Sequence, residues 1–81
     1  MSSAVIEHQA ATQRFVLSQD GASALLTYQL QGKQIDFNHT FVPPEFRGKG
    51  LAAELVKHGL AWANAQGYQI SASCSYVQRF I

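Results

Sequence analysis

The run VPPEFRGKGLAAEL, residues 42–55, changes its structural demands twice within a few positions. Pro43 and Pro44 must end whatever strand precedes them, because proline donates no ladder hydrogen bond. Gly48 and Gly50 then flank Lys49, giving a basic loop whose backbone can turn freely. From about Gly50 to Gln66 the apolar residues recur at helical spacing. Leu51, Leu55, Gly59, Trp62 and Ala63 lie along one broad stripe with Ala52, Val56 and Leu60, while Glu54, Lys57, His58 and Asn64 face away. Gly67 follows where a helix end favours a left-handed residue. The stretch therefore reads as strand end, flexible loop and helix start.

Upstream, the period is that of strands. Residues 12–19 (TQRFVLSQ) carry a short apolar run, and Asp20-Gly21 is a turn signal. Residues 22–31 (ASALLTYQLQ) form a second predicted strand with Leu26, Tyr28 and Leu30 on one face, and Gly32-Lys33 makes the next turn. In residues 34–42 (QIDFNHTFV), strict alternation places Ile35, Phe37, His39 and Phe41 on one face and Asp36, Asn38 and Thr40 on the other. Downstream of the helix, residues 68–73 (YQISAS) read as a fourth strand. Residues 74–81 (CSYVQRFI) read as a final helical turn. The expected fold is α+β: a three-stranded antiparallel meander, a crossover helix and a fourth strand, with the helix covering one sheet face. One domain spans residues 1–81, with residues 1–10 as a loosely ordered lead-in.

Composition narrows the function classes. At 47% hydrophobic and 14% charged, the chain is globular rather than disordered. A net charge of +1 with scattered basic residues offers no stripe for a nucleic-acid backbone. Arg47 and Lys49 suit one or two phosphates of a small ligand. No window approaches a membrane span or a signal peptide. The single cysteine, Cys74, fits a reducing cytoplasm, and no metal site is expected.

The loop before the helix carries the strongest functional signal. The first-turn N–H groups of a helix are unpaired, and the macrodipole makes that end electropositive. Glycines remove side chains that would block an anion from reaching those groups, and Arg47 and Lys49 add charge at the rim. Arg47 to Ala52 thus reads as a pyrophosphate cradle, although the same glycines would also ease a simple strand-to-helix turn. The Walker and dinucleotide-binding glycine patterns are both absent.

These residues also resemble a known family. Arg47-Gly48-Lys49-Gly50-Leu51-Ala52 matches the Arg/Gln-x-x-Gly-x-Gly/Ala motif of the GNAT superfamily of N-acetyltransferases. His39-Thr40-Phe41-Val42-Pro43 and Cys74-Ser75-Tyr76-Val77 are similar to segments of its very short, single-domain branch. The likeness covers roughly residues 10–81. It implies acetyl-coenzyme A as acetyl donor, held by Arg47, Gly48, Lys49, Gly50, Leu51 and Ala52, with backbone near Val42 beside the pantetheine arm. It also implies that strand 68–73 splays from strand 34–42 to admit the thioester, so that their ends converge on the acetyl group.

Three side chains become candidates for the chemistry. Cys74 could accept the acetyl group or line the pocket, against the alternative of a small buried apolar residue. A thiol needs a nearby base or cation to react at neutral pH, and His39 is the candidate base, unless it is a satisfied core histidine. Tyr76 could protonate the leaving thiolate or anchor the tail by packing. Trp62, Phe80 and Phe15 read as core, and His8 and His58 as solvent-facing residues without partners. The expected function is acetyl transfer to an unidentified amine of a small molecule or protein. The alternative is a non-catalytic or partner-dependent coenzyme A-binding module, because the initial helices and last strands that shape the acceptor pocket in larger relatives have no counterpart here.

Overall fold

The computed structural model describes residues 5–81. Its sheet has five strands in sequential order, β1 (Val5–Gln9), β2 (Arg14–Gln19), β3 (Ala22–Gln31), β4 (Gln34–Phe41) and β5 (Gln69–Ala72). The first four are antiparallel neighbours, and β5 lies parallel to β4. A parallel pair requires a crossover, supplied by helix α1 (Leu51–Gln66). A short helix, α2 (Ser75–Gln78), follows β5. The expected α+β architecture is present, with one strand more than the meander read from sequence.

That extra strand is β1. The lead-in expected over residues 1–10 is in part ordered structure, because Val5–Gln9 pair with Arg14–Ser18 of β2; residues 1–4 lie outside the described residues. Its alternation is short and mixed, with Glu7, His8 and Gln9 in the last three positions, so period alone does not mark it. Side-chain contacts hold it. His8 Nε2 lies 2.7 Å from the Tyr28 hydroxyl. Its ring stacks on Phe15 at 4.1 Å between centroids and meets the edge of Trp62 at 4.4 Å. His8 is therefore a packed residue with a partner, contrary to the solvent-facing expectation, while His58 is exposed as expected but sets its ring edge-on to Phe15 at 5.7 Å.

The core lies between the sheet and α1. Phe15 and Leu17 of β2, Ala24, Leu26 and Tyr28 of β3, and Ile35 and Phe37 of β4 meet Leu51, Leu55, Val56, Leu60 and Ala63 of the helix. Gly59 sets how close the helix can come. A Cβ there would stand 2.7 Å from Leu26 Cδ2 and 3.3 Å from Phe37 Cε1, so the missing side chain is what lets the backbone approach. Gly67 ends the helix in the left-handed region at φ 77°, as its position predicts.

One irregularity redirects β4. Thr27 and Tyr28 are consecutive on β3 but face His39 and Phe37, leaving Asn38 as an inserted residue. This β-bulge inverts the alternation beyond it. Ile35 and Phe37 are buried as expected, but His39 is exposed and Phe41 is 48% exposed. Thr40, expected on the opposite face, pairs with Leu26 on the helix side instead. The Thr27 hydroxyl pins the bulge by donating to Asn38 Oδ1 at 2.6 Å.

Candidate functional site

Strands β4 and β5 are paired only from Gln34↔Gln69 to Phe37↔Ala72. One more bond follows, from the Cys74 N–H to the Phe37 carbonyl at 3.1 Å. Beyond it β4 runs through the bulge while the chain after β5 turns into α2, so the two strands part. At the parting, Pro43 ends β4, and Pro44–Phe46 form one turn of 3-10 helix. Phe46 is buried and anchors the loop to the core.

The loop then exposes its donors. Gly48 and Gly50 both take positive φ, at 80° and 73°, which only glycine adopts without strain. The first α1 bond runs from the Glu54 N–H to the Gly50 carbonyl. Among the described residues, the N–H groups of Gly48, Gly50, Leu51 and Ala52 have no backbone acceptor. They lie at the electropositive end of a 16-residue helix, with Arg47 and Lys49 exposed beside them. A Cβ built at Gly48 or Gly50 would meet nothing within 4 Å, so the space over these groups is open.

A cleft of about 280 Å³ lies against this loop, lined by Val42, Phe46, Arg47, Gly48, Gly50, Ala52 and Tyr76. Its size is near the lower end of the small-molecule range. Five of the sequence-derived binding residues, Val42, Arg47, Gly48, Gly50 and Ala52, line it together with Tyr76. Leu51 is buried and offers its backbone only, and Lys49 sits at the exposed rim. Phe46 was not read as a site residue. Its apolar character within a polar loop was the available signal.

Cys74 stands two residues from Tyr76, half-buried, as the residue before α2. Its sulfur lies 3.5 Å from Thr40 Oγ1. Burial alone pushes the Cys74 thiol up. Hydrogen bonds from the Thr40 hydroxyl and from backbone at Val77, Tyr76 and Thr40 together outweigh burial and hold it below the ordinary cysteine value. The structure thus brings Cys74 and Tyr76 to the same end of the sheet as the glycine loop. His39 is on the other side of β4, facing away from α1, and the group against the thiol is Thr40. Strict alternation misplaced both residues because it has no term for a bulge. The core-histidine alternative for His39 fails for the same reason.

Another polar group lies on β4 just before the parting. The Asp36 carboxylate accepts from the Ser73 N–H at 2.8 Å and the Ser73 hydroxyl at 2.6 Å, which clamps the end of β5 to β4. Among the described residues no cluster of His, Cys, Asp and Glu suits a metal ion, and no helix is long and apolar enough to cross a membrane.

Comparison with known proteins agrees with this arrangement. A family model described as GCN5-related N-acetyl-transferase matches residues 14–81. Protein NATD1 from Bos taurus is 33% identical over 79 residues, covering 94% of this chain and 70% of its own. The Homo sapiens protein of the same name is 32% identical over 79 residues, again covering 94% and 70%. An NMR structure of a GCN5-like candidate N-acetyltransferase from Staphylococcus aureus superposes with a TM-score of 0.75 at 29% identity, covering 99% of this chain and 79% of that one. With its glycine loop, parted strands and helix in the matched segment, the chain belongs to the GCN5-related N-acetyltransferase family.

Proposed function

We propose that this protein binds acetyl-coenzyme A and transfers its acetyl group to an amine. The observation that carries the reading is the cleft between the end of β4, the glycine loop and Tyr76, with the amides of Gly48, Gly50, Leu51 and Ala52 free to donate. Those donors and Arg47 suit a pyrophosphate, and the open space over both glycines admits it. Acetyl-coenzyme A supplies the activated acetyl thioester.

The chain's own residues have assignable tasks. The loop amides and Arg47 hold the phosphates, with Lys49 adding charge from the rim. Val42 and Phe46 cover the apolar part of the cleft. Tyr76, whose ring lines the cleft, donates a proton to the leaving sulfur. Cys74 either lines the acetyl end or takes the acetyl group itself before passing it on. His39 faces the side of the sheet away from α1 and serves as base only for an amine arriving from that side. The lone cysteine fits a reducing, cytoplasmic setting.

An isotope-edited NMR titration with acetyl-coenzyme A tests the reading. Shifts centred on the amides of Gly48 to Ala52 are expected, and their absence at millimolar ligand would overturn it. Mass spectrometry of the same sample separates the routes, since an acetyl adduct on Cys74 marks the two-step one. Binding without turnover across a panel of amines would leave a coenzyme A-binding module.

A further inference from the structure

The bulge in β4 has a consequence at Cys74. Without Asn38 inserted, Thr40 would face away from α1 and His39 would stand on the helix side. With it, Thr40 is aimed at the sulfur across the place where β4 and β5 part. The arrangement is fixed from behind: the Thr27 hydroxyl donates to Asn38 Oδ1 at 2.6 Å and lies 3.4 Å from the His39 carbonyl. Thr40 and Cys74 are each two residues from a residue lining the cleft, Val42 and Tyr76 respectively. The pair therefore joins the two segments that carry the cleft's walls, beside the cleft rather than in its lining.

We infer that Thr40 is a positioning residue, which the Thr27-pinned bulge places so that its hydroxyl donates to the Cys74 sulfur and holds that sulfur as a thiolate beside the cleft. A thiolate accepts hydrogen bonds far better than a thiol, so the Thr40 hydroxyl favours the ionised form. The inference deepens the acetyltransferase reading, in which Cys74 meets the acetyl group, but it concerns the free protein and its test needs no acetyl-coenzyme A. The charged and titratable groups on the surrounding elements are Asp36 and His39 on β4, Glu45, Arg47 and Lys49 in the loop, Glu54, Lys57 and His58 on α1, and Tyr76 and Arg79 after β5. The side chain bonded to the sulfur is that of Thr40.

The test is the pH profile of Cys74 alkylation by iodoacetamide in the wild type, Thr40→Val and Thr40→Ser, with thiolate absorbance as a second readout. Thr40→Val keeps the shape and removes the donor. It should slow alkylation about three- to tenfold near neutral pH and leave the rate unchanged at high pH, where every thiol is ionised. Thr40→Ser should restore the wild-type profile. Mere loosening of the fold would instead speed alkylation at every pH. Identical profiles for wild type and Thr40→Val, or failure of serine to rescue, would overturn the inference. Should Thr40→Val not fold, the wild type decides by NMR: the Thr40 methyl signal must titrate with the same midpoint as the Cys74 Cβ, and an independent midpoint sinks the proposal.

Discussion

The two ends of the sheet are built on opposite rules. At one end, His8, Phe15, Tyr28 and Trp62 close ring against ring, with centroids between 4.1 and 5.8 Å apart, over paired strands. At the other, β4 parts from β5 after Phe37, glycines take positive φ, and backbone donors in the loop have no backbone acceptor among the described residues. Packing at the sealed end supplies stability that the open end lacks. The open end keeps the unsatisfied groups that binding a ligand requires. In a domain this small, stability is modest to begin with, so the division matters.

The sharpest way to break this comparison is at the sealed end. Phe15→Ala should cost about 3–5 kcal/mol, because Phe15 is fully buried against four other aromatic rings. Urea unfolding measures it, and a loss below about 1 kcal/mol would show that the aromatic cluster is not the anchor. Glycine-to-alanine changes then separate the two ends by mechanism. At Gly50 the added methyl meets open space but forces a left-handed residue, costing roughly 1–2 kcal/mol. Acetyl-coenzyme A binding should weaken with it. At Gly59 the methyl collides with Leu26, and overpacking of about 1–3 kcal/mol is offset by roughly 1 kcal/mol of better helix propensity. Binding should be untouched there. Equal effects of both variants on ligand titration would erase the distinction.

Smaller effects sharpen the picture. Arg47→Ala should weaken acetyl-coenzyme A binding roughly two- to fivefold at low salt, because an exposed charge contributes little and is screened. Affinity that is unchanged, or a loss independent of salt, would argue against a phosphate at this loop. The smallest effect is a pH dependence at the sealed end. Burial first, and the His58 charge second, hold His8 below its ordinary value of 6.5. The folded protein thus takes up the proton less readily than the unfolded chain. His8 therefore contributes stability that is present above pH 6.5 and is lost as the pH falls through its lowered value. Thermal unfolding from pH 7.5 to 5 in wild type and His8→Gln should show a steeper decline in the wild type.

Much of the open end was legible because its signals are local. Pro43-Pro44, the two glycines around Lys49 and the stripe beginning at Leu51 each state their own conformation, and the glycine loop lies where they place it. The extra strand was not legible. β1 exists because His8 finds Tyr28, Phe15 and Trp62, partners far away in the chain. Thr40 escaped for a related reason: a perfect alternation reads as a perfect strand until a neighbour fails to match it residue for residue.

The sequence by itself therefore determined the succession of the main strands and helix from residue 14 onward, the turn and cap glycines, and the glycine loop with its exposed basic residues before α1. These follow from backbone chemistry within a few residues, where proline, glycine and apolar period act directly. Only the tertiary structure decided that Val5–Gln9 join the sheet, that β4 bulges at Asn38, and that Thr40 rather than His39 meets Cys74. Those outcomes depend on registers between strands, and a register is set by which side chains fit together across the sheet, a property that no single segment carries.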